Sequence, residues 1–218
     1  ISIIGCGLIG SSILRAIKSK NLAKEIKIFD HSKEVNAYLK KENICTTVSN
    51  DIRQCVAKSD LVIIATPLSS YKEIILSIKS SLKRNVILTD TGSVKKEVMK
   101  IIHNINLTDV NWIPSHPIAG TEQSGPRAGK AEMFENRWCI ISPPKNCAEK
   151  PIRILKTFWE IIGCKVKIMT PEEHDKILSL TSHLPHMIAY NIVRTVMGVE
   201  NKLKQEVIQY SAGGLRDF

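Results

Sequence analysis

Short apolar segments alternate with amphipathic helical patterns over the first 114 residues of this 218-residue chain. The apolar segments are runs of Ile, Val and Leu, as expected of strands buried on both faces of a sheet. The helical segments between them are long enough to serve as crossovers, which parallel strands require and which are right-handed. The alternation therefore predicts an α/β domain with a doubly wound, mostly parallel sheet.

The pattern changes near residue 170, after which we find no strand signal. Thr170 is a suitable N-cap, Pro171 follows at the first helical position, and Glu173 is placed to complete a capping box. The pattern stays helical to about residue 199, with a kink expected at Pro185. We therefore expect two domains, residues 1–170 and a helical C-terminal domain at 171–218. The second is short, so we expect it to be truncated.

A glycine-rich turn follows the first predicted strand and opens the first helix. Gly5, Gly7 and Gly10 form the pattern G-x-G-x-x-G, with Leu8 and Ile9 at its variable positions. The first glycine makes a tight turn, the second lets the backbone approach a pyrophosphate, and the third allows close packing of helix on strand. The helix N-terminus supplies N–H donors. This arrangement predicts a Rossmann-type dinucleotide site.

Three further residues are predicted to bind the same cofactor. Asp30 ends the second predicted strand, where a carboxylate can bond a ribose diol and repel a 2′-phosphate. The predicted cofactor is therefore NAD. NADP is left open, because Lys33 stands close by in the sequence and its positive charge offsets the repulsion of a 2′-phosphate. Thr66 and Pro67 end the fourth strand on the ligand side, although a simple strand-ending proline explains them equally well.

Two groups suited to chemistry stand at other strand ends. Ser93 follows the fifth strand, either facing the ligand edge of the sheet or capping the next helix. His116 lies in the run S-H-P-I-A-G-T-E, where Pro117 ends a regular strand and leaves the imidazole at a turn. Thr121 and Glu122 add polar groups beside it.

Composition restricts the classes of partner. The net charge of +10 comes from 23 lysines and 8 arginines that are scattered, with no recognition motif, so nucleic acid is not expected. The sequence contains no run of about 18 apolar residues, so no membrane span is predicted. The six dispersed cysteines are typical of reduced thiols in a cytoplasmic protein.

His183 and His186 lack the glutamate of H-E-x-x-H, so we expect no metal, and His186 is expected to be buried.

These motifs, together with S-H-L-P-H at 182–186 and G-G-L-R-D-F at 213–218, resemble the prephenate/arogenate (cyclohexadienyl) dehydrogenase family of tyrosine biosynthesis. The resemblance runs in order over essentially the whole chain. It implies an NAD-dependent oxidative decarboxylation of prephenate to 4-hydroxyphenylpyruvate by a homodimer joined through the helical domain. By the same resemblance His116 is the catalytic histidine and Ser93 its supporting hydroxyl, while His183, Thr121 and Glu122 bind the small-molecule substrate.

Several alternatives remain open at this point. Arogenate, or both compounds together, is the alternative substrate, because the two differ only by a keto group or an amine on the side chain. Other oxidoreductases of the same fold share the glycine pattern, and a non-catalytic, NAD-binding regulatory protein is a candidate of another class. One departure concerns the last motif, which in the family continues to an arginine that grips a substrate carboxylate. That position lies beyond Phe218, and Arg216 does not correspond to it.

Overall fold

The computed structural model describes residues 1–105 and 107–198, together with residues 203, 206, 207, 209 and 210. The strands in these ranges are β1 Ser2–Ile4, β2 Lys27–Phe29, β3 Thr47–Val48, β4 Leu61–Ile64, β5 Val86–Asp90, β6 Val110–Trp112, β7 Ser115–Pro117, β8 Trp138–Ile141 and β9 Lys165–Ile168. The α-helices are α1 Leu8–Ser19, α2 Lys33–Glu42, α3 Ile52–Val56, α4 Tyr71–Ile78, α5 Lys96–Ile105, α6 Glu149–Ile161, α7 Pro171–Leu178 and α8 Leu184–Met197.

The main sheet has six parallel strands in the order β3-β2-β1-β4-β5-β6. The chain first adds strands on one side of β1 and then crosses over to add β4, β5 and β6 on the other side. Helices connect the strands, and consecutive residues of one strand belong to different cores. Ile3 packs in one hydrophobic cluster with α1 and α6, whereas Ile4 packs in the other with α4 and α5. The predicted Rossmann-type, doubly wound α/β fold is confirmed.

A second sheet of three strands, in the order β7-β8-β9, follows the first. β7 pairs antiparallel to β8, and β8 pairs parallel to β9. The prediction that His116 lies on a turn after a strand is therefore wrong. Pro117 does end the strand, but His116 is the middle residue of β7, opposite Ile140. The two-residue gap after β6 lets the chain leave the first sheet and enter the second.

The chain divides into two compact units, with the boundary between Glu172 and Glu173. In the second unit a π-helical segment, Ser179–His183, separates α7 from α8. Pro185 is the second residue of α8, just after that segment, and it has no N–H for the carbonyl group one turn earlier. The disturbance predicted at Pro185 thus takes the form of a π-helical turn. No helix in the described part of the chain combines the length and the apolar character of a membrane crossing.

Candidate active site

The carboxyl edge of the main sheet brings the predicted cofactor residues to one level. Ile4 lies opposite Phe29 on one side and Ile64 on the other. Gly5, Asp30 and the segment 65–67 therefore leave the sheet side by side. The direction of strand addition also reverses at β1, and open α/β sheets bind ligands in the crevice at such a switch point.

The three glycines of the loop have different steric surroundings. Gly5 has a φ of +86°, and an added Cβ there would lie 2.7 Å from the Ala65 carbonyl oxygen. At Gly10 an added Cβ would lie 2.1 Å from the Gly5 carbonyl oxygen. Both positions require glycine for the packing of α1 against the sheet. At Gly7, by contrast, nothing lies within 4 Å of an added Cβ, so the space beside this residue is open to a ligand.

Helix α1 begins at that open space. Gly7 is its N-cap, no side chain caps the helix, and its first turn carries no acidic residue. The first N–H groups of a helix have no partner within the helix, and here they belong to Leu8, Ile9 and Gly10. An anion at this point accepts these hydrogen bonds and is stabilised by the helix dipole. The loop therefore fits the pyrophosphate of a dinucleotide.

The Asp30 carboxylate is held by backbone groups on both of its oxygens. Oδ2 accepts a hydrogen bond from Cys6 N at 2.7 Å, and Oδ1 accepts one from Ser32 N at 2.9 Å. The exposed His31 places Nδ1 3.4 Å from Oδ1. Burial and, to a lesser extent, the Asp30 charge raise the pKa of the Cys6 thiol to about 12. Asp30 thus joins the glycine loop to the start of α2 and leaves Cys6 a neutral thiol.

A cavity of about 520 Å³ opens beside this carboxylate and is lined by Gly5, Asp30, Thr66 and Pro67 among others. Thr66 Oγ1 accepts a hydrogen bond from Ser70 Oγ at 2.9 Å, which fixes the wall of the cavity. The apolar side chains of Ile52 and Ile74 face the same space, and such surroundings suit a flat aromatic base. The structure therefore places four of the predicted cofactor residues around one cavity.

Sequence reasoning missed a buried polar network behind the loop that carries Ser93. Asp90 and Lys95 form an ion pair with 2.7 Å between Oδ2 and Nζ, and neither side chain is exposed to solvent. Lys95 Nζ also donates to the Ser115 carbonyl oxygen at 2.7 Å. Tyr71 donates its hydroxyl to the same Asp90 oxygen at 3.2 Å. Burial, with a further contribution from the Asp90 charge, raises the pKa of Tyr71. The only sequence signal for this network was an Asp and a Lys at the two ends of the Ser93 loop.

This network bonds to the backbone of Gly92 and Ser115, the residues that precede Ser93 and His116. Ser93 is exposed in the loop between β5 and α5, before the first residue of the helix. His116 is half-buried in β7 and follows Ser115, which the network holds. Thr121 and Glu122 are exposed beyond β7, where Thr121 Oγ1 accepts a hydrogen bond from Gln123 N at 3.2 Å.

The remaining predicted histidine belongs to the second unit. His183 is half-buried at the end of the π-helical segment. His186 is exposed, contrary to expectation, because α8 buries none of its residues, and its Nδ1 lies 2.7 Å from the Ser182 carbonyl oxygen. His174, in the Glu173-His174-Asp175 segment that contributes to the family resemblance, is fully buried with Nδ1 2.7 Å from Asp175 Oδ1. The described residues contain no group of three or more potential metal ligands.

Comparison with known proteins decides the family. Residues 13–169 match the model of the prephenate dehydrogenase nucleotide-binding domain, and residues 170–218 match that of the prephenate dehydrogenase dimerization domain. The chain belongs to the prephenate dehydrogenase family. The family predicted from the motifs is therefore confirmed. The glycine loop precedes the first matched residue, so its assignment depends on the geometry described above, and the motif at 213–218, with Arg216, lies outside the described residues.

Individual relatives agree with this assignment. The cyclohexadienyl dehydrogenase of Zymomonas mobilis is 40% identical over 217 residues, which are 100% of this chain and 74% of that protein. The prephenate dehydrogenase of Bacillus subtilis is 31% identical over 100% of this chain, which spans only 59% of that relative. The crystal structure of Aquifex aeolicus prephenate dehydrogenase in complex with hydroxyphenyl propionate and NAD+ is 27% identical, with a TM-score of 0.88. The matched region covers 99% of this chain and 75% of the Aquifex aeolicus chain.

Proposed function

We propose that the protein is an NAD-dependent prephenate dehydrogenase, which converts prephenate to 4-hydroxyphenylpyruvate in tyrosine biosynthesis. The observation that carries the proposal is the similarity, over 99% of this chain, to a relative solved with NAD+ and hydroxyphenyl propionate. That ligand, like the product of the proposed reaction, is a hydroxyphenyl group with a short acidic side chain. Membership of the family supports the same conclusion.

The cofactor residues in this proposal are those gathered at the switch point. Gly5, Gly7 and Gly10 shape the loop, and the N–H groups of Leu8 and Ile9 face the pyrophosphate. Asp30 bonds the ribose hydroxyls, and Thr66 and Pro67 line the adjoining cavity. Bound at these residues, NAD would supply the acceptor for the hydride that leaves ring carbon 4 of the substrate. A carboxylate at Asp30 disfavours the extra phosphate of NADP.

His116 is assigned as the general base. As hydride leaves carbon 4, the proton of its hydroxyl group must also leave, and neutral imidazole is a suitable acceptor near pH 7. The ring carboxylate then departs as CO2, and the electrons of the broken carbon–carbon bond complete the aromatic ring. Ser93 is assigned to orient the imidazole. Once the ring is aromatic, the imidazole returns its proton to the phenolate oxygen, so 4-hydroxyphenylpyruvate forms with no net release of a proton.

Substrate binding is assigned to the three residues that the family resemblance implies. In the proposed division, residues 1–170 form the nucleotide-binding domain and residues 171–218 belong to the helical domain. Thr121 and Glu122 come from the first and His183 from the second. All three carry polar groups that can bond the carboxylate, keto or hydroxyl groups of prephenate.

We also propose a cytoplasmic homodimer joined through the helical domain. Helix α8 exposes large apolar side chains on most of its surface: Leu184, Met187, Ile188, Tyr190, Val193 and Met197, each at least 40% exposed. A soluble monomer rarely leaves so continuous an apolar surface in water. The cysteines at 6, 45, 55, 139, 147 and 164 are all free, in keeping with a reducing compartment.

An assay of the full-length protein with prephenate or arogenate, and with NAD or NADP, tests the proposed activity. We expect NADH and CO2 to form in equal amounts from prephenate. Turnover of arogenate as well would assign the dual specificity that the name of the Zymomonas mobilis relative favours. Absence of turnover with both substrates contradicts the proposal and favours a regulatory NAD-binding protein.

Sedimentation measurements test the dimer. We expect Val193→Asp, in the exposed surface of α8, to shift the protein to monomer. Leu76→Asp, at an exposed apolar side chain of α4, is the matched control and should leave the dimer intact. A monomeric wild-type protein contradicts the proposal.

A further inference from the structure

We infer that the buried ion pair of Asp90 and Lys95 positions His116 for proton transfer, by fixing the residue before it to the loop that carries Ser93. The inference rests on the proposed function and adds two positioning residues to it. Neither residue is assigned any contact with the substrate or with the cofactor.

The ion pair binds both backbone polar groups of Ser115. Asp90 Oδ1 accepts a hydrogen bond from Ser115 N at 3.2 Å, and Lys95 Nζ donates to Ser115 O at 2.7 Å. That carbonyl belongs to the peptide that joins Ser115 to His116. One carboxylate and one ammonium, paired with each other at 2.7 Å, therefore set the plane of the peptide that leads into the catalytic histidine.

The Ser115 side chain is held by β5, the strand that ends at Asp90. Its hydroxyl donates to the Asp90 carbonyl oxygen at 2.7 Å and lies 2.9 Å from Thr89 Oγ1. On the opposite side of β7, His116 pairs with Ile140 of β8. The backbone of His116 is thus fixed between the end of β5 and the second sheet.

The same two residues close the loop that carries Ser93. Asp90 ends β5 and Lys95 precedes α5, so their pairing brings the two ends of the loop together. Asp90 Oδ2 also accepts a hydrogen bond from Gly92 N at 2.9 Å. An added Cβ at Gly92 would lie 2.9 Å from that oxygen, which leaves no room for a side chain. The loop and β7 are therefore fixed to one shared group.

Stability alone is a poor explanation for this ion pair. Removing two charges from water costs about as much as their attraction returns, and well-packed apolar side chains often serve as well. Apolar side chains, however, make no directional bonds to the N–H and C=O groups of Ser115. Direction matters here because a misplacement of about 1 Å at a reacting group can cost on the order of 100-fold in rate.

The test compares Lys95→Met with two control variants in the full-length enzyme. Tyr71→Phe removes a different hydrogen bond to the same Asp90 oxygen without touching Ser115. Lys100→Met removes an exposed lysine of α5 that pairs with Glu97. For each variant we would measure kcat, the Kd for NAD, the thermal unfolding midpoint and the pH dependence of kcat.

We expect Lys95→Met to lower kcat by roughly 10- to 100-fold, with the Kd for NAD little changed. The acid limb of the pH profile of kcat should keep its position on the pH scale. A misplaced general base accepts the proton more slowly, but its basicity is unchanged. Both controls should keep kcat within about twofold of wild type, even if Tyr71→Phe unfolds at a lower temperature.

Other outcomes overturn the inference. A folded Lys95→Met enzyme with wild-type kcat excludes a positioning role, and a shifted acid limb at unchanged maximal kcat would mean that Lys95 acts through its charge. If Lys95→Met does not fold, the double variant Asp90→Asn/Lys95→Met leaves no unpaired buried charge, and wild-type kcat in it has the same meaning. A wild-type enzyme without turnover refutes the proposed function instead, so the two failures are distinguishable.

Discussion

Substitution of Gly7 and Gly10 by alanine separates cofactor binding from folding in the glycine loop. At Gly10 the new Cβ would lie 2.1 Å from the Gly5 carbonyl oxygen, so α1 must move away from the sheet. Overpacking of this kind costs about 1–3 kcal/mol. In a domain of this size that corresponds to a fall of roughly 2–12 °C in the unfolding midpoint.

At Gly7 the same methyl group meets nothing within 4 Å, and the residue has an extended backbone that alanine also adopts. We therefore expect Gly7→Ala to leave the stability unchanged or to raise it by about 0.4–1 kcal/mol. The methyl group instead occupies the space assigned to the pyrophosphate. Loss of one charge-assisted hydrogen bond costs about 1.5–3 kcal/mol, which weakens NAD binding by roughly 10- to 150-fold.

Calorimetry gives both quantities, the unfolding midpoint and the Kd for NAD, on the same preparations. The reasoning requires the two variants to differ in kind, with Gly10→Ala unstable and Gly7→Ala stable but weak in NAD binding. Wild-type affinity for NAD in Gly7→Ala would refute the assignment of the loop to the pyrophosphate. A loss of stability in Gly7→Ala equal to that in Gly10→Ala would refute the steric argument.

Three further predictions follow from the site. His116→Asn should lower kcat by roughly 10²- to 10⁴-fold with the Kd for NAD unchanged, and near-normal kcat would remove this residue from the mechanism. The wild-type enzyme should have a higher kcat/KM with NAD than with NADP, and Asp30→Ser should narrow that ratio by about tenfold or more, because it removes the charge that repels a 2′-phosphate. Burial raises the pKa of the Cys6 and Cys55 thiols from 9.0 to about 12. Because the folded pKa is the higher one, their contribution to stability is complete below pH 9 and falls above it by about 1.4 kcal/mol per pH unit for each thiol. Urea unfolding at about pH 8 and about pH 10 measures this slope, and a slope that Cys55→Ala leaves unchanged would contradict it.

The sheet was predictable because its determinants are local. Runs such as Leu61–Ile64 are apolar at every position, and the helices between the strands have clear amphipathic patterns. Two-sided burial leaves such runs few alternatives to a parallel strand. The cofactor residues were predictable for the same reason, since Gly5 and Asp30 each follow a strand directly and Thr66 follows β4 one residue later. Aligned parallel strands bring such positions together without any further information.

In the second sheet, strand β7 was not predictable in the same way. β7 has only three residues, one of which is proline, and its partner β8 begins more than twenty positions later. Nothing in Ser115–Pro117 by itself favours pairing with β8 over a turn, and the presence of Pro117 favours the turn. The strand exists because Ser115 is bound to the end of β5 on one side and β7 pairs with β8 on the other. Such a strand can be recognised only after its partners are placed.

Lys95 shows why the positioning network escaped notice while the histidine did not. In the sequence it is one of 23 lysines and stands beside Lys96, and lysine is a residue type that is seldom fully buried. In the fold it is wholly buried, with its ammonium group on the Ser115 carbonyl oxygen. Reactive residues such as His116 are conspicuous because few residue types carry their chemistry. A residue that orients them by a single hydrogen bond can be of a common type, and only its burial and its partner, twenty positions away, reveal the role. The Lys95→Met enzyme therefore tests whether the unusual burial of an ordinary residue indicates function as well as stability.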